Sequence, residues 1–261
     1  MDFLIVGATA FAASCLTLYS GFGLGTILLP AFALFFPAAT AVAATGAVHL
    51  LNNVFKGGLV GRQADWRTVF AFGLPAIPGA IVGALILDRL SEQSAFHWRA
   101  WGYDFAPSAA GVVIGACLIA FAVLELMPWF QRLSAPPRMM PVGGLLTGFS
   151  GGLTGQQGAL RSMFLLKSGL PPAQYIATGT MIAIIIDLSR LPTYAAAFST
   201  ETLPLSGRGG ALIACGTLCA FAGAWLGARY MKKATIGVIR ALVVSLMVLI
   251  GLGLVFGVLG A

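Results

Sequence analysis

Long uninterrupted apolar blocks constrain this chain more than any other feature. Residues 8–18, 69–87, 107–124, 210–228 and 241–260 carry almost no charge and show no alternation of polar and apolar positions. A run of about 20 apolar residues has the length of a helix that crosses a hydrocarbon layer. Four of the five blocks have about that length, and in 261 residues they leave little chain for a soluble domain. Charge content agrees: 9% of the residues are charged, where a soluble chain carries about 25%. The net charge of +7 lies mostly between the apolar blocks. That placement points to loops facing anionic lipid and not to a nucleic-acid surface.

Polar and proline-containing breaks divide the chain into ten segments, 2–20, 22–36, 38–60, 67–90, 107–128, 141–150, 154–169, 172–197, 208–228 and 235–260. Segments 22–36, 141–150 and 154–169 are short and flank glycine-rich breaks. They predict half-helices or re-entrant hairpins, whose freed backbone groups must be covered by protein or line a cavity. The expected fold is an all-α integral membrane protein with 8–10 transmembrane segments. The start, Met1-Asp2-Phe3, has no basic region, so the first apolar run is expected to be retained as a helix. Cys15, Cys117, Cys215 and Cys219 all sit inside apolar blocks and read as packing residues.

The two halves resemble each other. Leu16-Thr17-Leu18-Tyr19-Ser20-Gly21 matches Leu146-Thr147-Gly148-Phe149-Ser150-Gly151 at an offset of 130, and Gly25 matches Gly155. Ala44-Thr45-Gly46 matches Ala177-Thr178-Gly179 at 133, and Gly79-Ala80 with Gly83-Ala84 matches Gly223-Ala224 with Gly227-Ala228 at 144. Three matches in one order, with slowly growing offsets, predict a duplication. Residues 1–128 form the first repeat, 129–140 a cytoplasmic linker and 141–261 the second repeat. An odd number of crossings per unit inverts the second relative to the first, an architecture of transporters with a midplane site. With the N-terminus outside, the inner loops carry Arg62, Arg67, Arg132, Arg138, Lys167, Arg229, Lys232 and Lys233, and the outer loops Arg89, Arg99 and Arg208. That bias obeys the positive-inside rule. Both termini are therefore expected outside a plasma (inner) membrane.

The Ser20-Gly21-Phe22-Gly23-Leu24-Gly25 stretch followed by Pro30, the Ala/Thr-rich segment after it, the GAxxGA close of the fourth segment and their repetition resemble the sulfite exporter family TauE/SafE, of the 4-toluene sulfonate uptake permease type. The resemblance covers nearly the whole chain. It implies a membrane transporter and a small sulfur-containing anion as partner. The second copy differs from the family's usual pattern, with Gly155-Gln156-Gln157-Gly158-Ala159-Leu160-Arg161 where relatives carry a glycine cluster, an apolar stretch and proline.

Candidate site residues follow from the cost of polar groups in hydrocarbon, about 3 kcal/mol for a central Arg or Lys on insertion scales. Lys56, Arg161, Arg190 and Arg240 remain after the loop cations are assigned, with Glu125 and Asp187 as acids within or at the ends of apolar segments. Arg240 can snorkel to the inner loop, and Glu125 lies near the inner end of its segment. Lys56 and Arg190 fall one residue apart in the repeat alignment, at nearly equivalent depth, which suits a path for a small anion. The alternatives put Lys56 among headgroups and Arg190 in an i, i+3 pair with Asp187. His49, Asn52 and Asn53 either bond a neighbouring helix or line the path, with His49 and Asp187 as candidates for a coupled proton. Ser20, Gly21, Gly23 and Gly25, with Ser150, Gly151 and Gly155, precede short helices whose N-termini could bind an anion; close helix packing is the other reading of these glycines. Thr45, Thr178, Gln156 and Gln157 add neutral donors. Gly79, Gly83, Gly223 and Gly227 read as helix-packing positions.

No metal-ligand spacing, nucleophile–base pair or nucleotide-binding loop is present in the sequence, so no cofactor and no enzymatic activity are expected. The expected function is secondary transport of a small anion by alternating access between inverted repeats. The resemblance makes sulfite or a sulfonate the expected substrate; a passive anion channel and a permease for a small carboxylate are the alternatives. Single cysteines introduced at Arg99 and Lys232 should be labelled by a membrane-impermeant reagent from opposite faces of the membrane. Labelling from the same face would sink the inverted arrangement.

Overall fold

The computed structural model describes residues 1–20, 24–127, 135–165, 168–198, 207–230 and 236–259, and the side chains of these except 16–20, 228, 230 and 236–242. Ten α-helices make up most of it: α1 (Asp2–Ser20), α2 (Leu24–Ala33), α3 (Ala38–Val60), α4 (Trp66–Ser91), α5 (Ala109–Leu126), α6 (Met140–Thr154), α7 (Gly158–Leu165), α8 (Pro172–Ala197), α9 (Gly207–Tyr230) and α10 (Ile236–Val255). Each corresponds to one of the ten segments bracketed by polar and proline breaks. Five stretches are long and apolar enough to cross a membrane: Ala38–Gln63, Trp66–Ser91, Ala109–Leu126, Pro172–Ala197 and Gly207–Gly227. Helices α1 and α10 contain 19 and 20 residues, and at about 1.5 Å per residue they also reach bilayer length.

Side-chain placement follows the logic of a lipid solvent. Leu51, Val54, Leu74, Leu85, Leu188, Leu218 and Leu249 are exposed, whereas Thr45, Asn52, Asp187 and Arg190 are fully buried. In water that distribution would expose a large apolar surface; in a bilayer it keeps polar groups away from hydrocarbon.

Glycine seams join the helices. A side-chain carbon at Gly144, Gly148 or Gly152 of α6 would overlap the carbonyl of Phe72, Ala76 or Ala80 of α4, and one at Gly79 or Gly83 would overlap the carbonyl of Leu145 or Phe149. The pairs rise together in number, so α4 and α6 run parallel with their backbones in contact. On the other side, Gly223 of α9 meets the Phe11 carbonyl of α1, and Gly216 meets Val6 and Ala10. Cys15 Sγ donates to the Gly223 carbonyl at 3.1 Å. Asp2, at the head of α1, pairs with Arg208, at the head of α9, at 2.6 Å. Helices α1 and α9 are thus parallel too. Helices α5 and α10 run antiparallel, with Gly111 against Leu254 and Gly115 against Gly251. So do α3 and α8, with Gly46 against Leu191 and Gly57 against Met181.

Two features depart from the sequence reading. Residues treated as an irregular outer loop form a hairpin, β1 (Trp98–Ala100) with β2 (Tyr103–Phe105). Its turn has φ 51° at Trp101 and 83° at Gly102, the pair of positive values that a two-residue hairpin turn of matching twist requires. Trp98 stacks on Phe105 with ring centroids 4.6 Å apart and donates to the Phe256 carbonyl at 3.0 Å. This docks the hairpin on the end of α10. The second break also comes later than expected: α6 continues through Ser150–Thr154, and the chain turns at Gly155, whose φ is 76°. The glycines that looked like a break are the seam against α4, and a seam must stay helical. The first break lies between α1 and α2; Gly21 and Gly23 fall outside the described residues, as do residues 129–134 of the expected 129–140 linker.

Gly148→Leu should push α4 and α6 apart and lower the thermal midpoint of the detergent-purified protein, since overpacking costs about 1–3 kcal/mol or more. Gly58, with open space where a side chain would point, should accept alanine with no loss. Equal midpoints for the two variants would contradict the seam.

Candidate functional site

The most polar part of the interior lies where α3, α8 and the α6–α7 break meet. Two intrahelical spacings build it. On α8, Asp187, Arg190 and Tyr194 are three and four residues apart and share one face, as do His49 and Asn53 on α3. Asp187 and Arg190 have no exposed surface, and His49 is 4% exposed.

Asp187 is the shared acceptor. His49 Nδ1 lies 2.6 Å from its Oδ2. Its Oδ1 accepts from Arg190 Nε at 2.9 Å and from Gln157 Nε2 at 3.1 Å. Arg190 Nη2 is also 2.8 Å from Oδ1, within ion-pair range, but makes no aligned hydrogen bond. An oxygen with two lone-pair directions cannot serve three donors well. Nη2 is therefore the donor left over. Arg190 Nη1 donates to the Gly151 carbonyl at 2.9 Å, and the Tyr194 hydroxyl donates to the Gly152 carbonyl. These groups close the C-terminal end of α6, where unpaired carbonyls favour a cation. Ser150 Oγ donates to the Gln156 carbonyl at 2.7 Å and so shapes the turn. Ser150 and Gly151, expected in the break ahead of a short helix, lie inside α6, and the Gly151 carbonyl is held by Arg190.

Small residues let backbone crowd this centre. A side-chain carbon at Gly25 would lie 2.9 Å from the Gly155 carbonyl and 3.7 Å from Thr45 Cγ2. The same atom at Gly155 would lie 3.5 Å from Arg190 Nη1, and at Gly46 3.2 Å from Nη2. Gly25 and Gly155, which match in the sequence at an offset of 130, are thus in contact beside Thr45 and Arg190. Among the described residues, six buried side-chain atoms have no hydrogen-bond partner: Thr45 Oγ1, both ends of the Gln156 amide, Arg190 Nη2, Thr147 Oγ1 of α6 and Thr217 Oγ1 of α9. Buried polar atoms are almost always paired. Four of these six atoms belong to Thr45, Gln156 and Arg190, which flank the Gly25–Gly155 crossing.

Other candidates separate from this centre. Lys56 lies seven residues beyond His49 on α3, about 10 Å along the axis. In the amide orientation that satisfies both ends of Asn52, its oxygen accepts from Lys56 Nζ at 3.1 Å and its nitrogen donates to the Ala220 carbonyl at 3.2 Å. Lys56 is 5% exposed, so it belongs to a polar contact among α1, α3 and α9 and not to the headgroups. Asn53 donates to the His49 carbonyl at 2.9 Å and lies against the imidazole. Thr178 accepts from the Asp65 backbone N–H at 2.9 Å. It steadies the start of α4, twelve residues from Arg190, about 18 Å along α8. The Ser20 and Arg240 side chains lie outside the described ones.

Arg161, named from the sequence for its charge alone, and Tyr194, which escaped that reading, border the cluster. Arg161 donates to Gln157 Oε1 at 3.5 Å and borders Gly179; its charge within an apolar segment was the signal. Tyr194 shares the face of Asp187 and Arg190, and that spacing would have found it.

Breaking the ion pair separates structural from ligand roles. Arg190→Ala should destabilise the protein by about 3–5 kcal/mol by stranding Asp187 and should abolish anion protection against unfolding. Asp187→Asn combined with Arg190→Gln should recover stability without recovering that protection. Thermal unfolding with and without sulfite would measure both, and recovered protection would exclude a ligand role for Arg190.

No curated protein and no solved structure matches this chain. The family model for the sulfite exporter TauE/SafE matches residues 6–254. That match spans both halves, the α4–α6 and α1–α9 seams and the buried His49–Asp187–Arg190 cluster, and the chain belongs to the sulfite exporter TauE/SafE family of membrane transporters, which are not enzymes.

Proposed function

We propose that this transporter carries a small sulfur oxyanion, sulfite or a small sulfonate, bound at the crossing of Gly25, Thr45, Gly155, Gln156 and Arg190. The observation that carries the reading is Arg190. It is a fully buried guanidinium with one nitrogen in excess of its acceptors, next to a hydroxyl and an amide that lack partners. A planar guanidinium with neutral donors around it suits an oxyanion. Desolvating an anion costs more as its charge grows, so charges of −1 to −2 fit and phosphorylated metabolites do not. Gln157, tied to Asp187, positions the cation, whereas Gln156 is placed to contact the ligand.

Alternating access of two inverted units, 1–128 and 141–261, is the proposed mechanism, in an inner membrane with both termini outside. Support comes from helix directions. A two-fold axis in the membrane plane makes a helix that meets its own counterpart antiparallel, as α3 with α8 and α5 with α10 are. It also makes exchanged pairs equivalent: α1 with α9 and α6 with α4 are both first-with-fourth, and both parallel. The ligand crossing contains matched residues of both units, Gly25 and Gly155, as expected for a site on such an axis.

Proteoliposomes containing the purified protein should take up labelled sulfite with saturation and should show counterflow. Thiosulfate and methanesulfonate should compete, while cations, amino acids and ATP should not. Gln156→Gly should change the order of preference among the three anions by several-fold more than it changes the maximal rate. Unsaturable flux without counterflow would mean a passive channel, and competition by a neutral or cationic solute would overturn the anion reading.

A further inference from the structure

Arg190 has two claims on it. Its Nε and Nη2 face Asp187 Oδ1 at 2.9 and 2.8 Å, and the same guanidinium is the cation proposed to hold the transported anion. A carboxylate is itself a small oxyanion, so Asp187 occupies Arg190 as a substrate would. The other oxygen of Asp187 faces His49 Nδ1 at 2.6 Å. Histidine is the side chain that exchanges a proton near neutral pH. We propose that proton binding through His49 neutralises Asp187 and hands Arg190 over to the anion, so that one proton moves with each anion; this rests on the transport reading above.

The step balances. A proton taken up at His49 Nε2 gives an imidazolium whose Nδ1–H points at Asp187 Oδ2. Transfer of the Nδ1 proton to Oδ2 leaves a neutral imidazole carrying its hydrogen on Nε2 and a neutral carboxylic acid. Oδ1 of the acid is a weaker acceptor than a carboxylate oxygen, and the fork of Arg190 turns to the anion. Release of the anion restores the ion pair as the proton returns through His49.

Charge conservation drives the coupling. With a neutral imidazole, His49, Asp187 and Arg190 carry no net charge; the added proton leaves one positive charge, which a monovalent anion cancels. A desolvated site disfavours either ion alone and accepts both together. Among the described residues, the other charged group facing the cluster is Arg161 of α7, with Tyr194 of α8 beside Arg190 as a further titratable neighbour. Arg161 opposes protonation of an empty site, and a bound anion offsets it. Proton and anion therefore raise each other's affinity by the same factor.

The test uses proteoliposomes with the membrane potential clamped at zero and a pH difference imposed across the membrane. Sulfite, thiosulfate and methanesulfonate are the probes. The last two keep their charge between about pH 6 and 8, and protein-free vesicles correct sulfite for its own protonation. Transported anion should accumulate on the alkaline side, about tenfold per unit of pH difference for one proton per anion. In detergent, the apparent Kd for a transported probe should rise with pH, by up to about tenfold per unit, and should be flat with pH in Asp187→Asn. Flux without accumulation overturns proton coupling and leaves the transport reading standing. No flux of any of the three anions overturns both. A wild-type slope retained in Asp187→Asn removes Asp187 as the proton carrier, and if that variant fails to fold, the wild-type accumulation decides alone.

Discussion

A guanidinium cannot sit at the centre of a membrane protein without an acceptor, and Asp187 supplies it. Arg190 is fully buried, and so is the carboxylate that pairs with it one helical turn earlier. An unpaired charge there would cost several kcal/mol. With the pair in place, spare capacity on both partners reaches outward. Asp187 collects His49 from α3 and Gln157 from the α6–α7 break, and Arg190 takes the Gly151 carbonyl at the end of α6. Four elements are thereby fixed around one ion pair.

That convergence demands close backbones, which the glycine seams provide. Parallel helices α4 and α6 touch along Gly79, Gly83, Gly144, Gly148 and Gly152, with main-chain carbonyls where side chains would otherwise stand. In hydrocarbon no hydrophobic force drives two helices together, so dispersion between closely packed backbones and polar contacts must do so. The price of this packing is a rigid α6 that stops abruptly at Gly155. At the stop the Gly151 and Gly152 carbonyls accept from Arg190 and Tyr194, and Gln156 follows the glycine that meets Gly25. Seam and site are therefore one device. The helix that packs most tightly is also the one whose end meets Arg190.

Much of the fold was legible because lipid imposes a simple code. Helix length, polar breaks and proline located the ten helices of the described residues to within a few residues at most ends, since a helix in hydrocarbon must satisfy its backbone internally. The glycine seams were legible at Gly79 and Gly223, where small residues recur every four positions. Their partners were less so. Ser150–Thr154 read as a break because glycine is a poor helix former in water, yet its packing against α4 keeps α6 helical to Thr154. The hairpin was missed because three-residue strands carry too little alternation to stand out, and the Trp101–Gly102 turn acts through backbone angles.

For the site, the sequence by itself determined which residues are expensive: Lys56, Arg161, Asp187, Arg190, His49, Asn52 and the two glutamines could lie in apolar segments only if something paid their desolvation. It also determined the i, i+3 spacing of Asp187 and Arg190 on one helix face. Only the tertiary structure decided how these polar groups divide. Lys56 joins Asn52 between α1, α3 and α9, Thr178 steadies the start of α4, and His49, Gln157 and Arg190 converge on one carboxylate. The reason is geometric. A linear pattern records which face of a helix a residue occupies. Which neighbour that face meets is set by the crossings of α3, α6 and α8, and those follow from helices distant in sequence packing backbone to backbone.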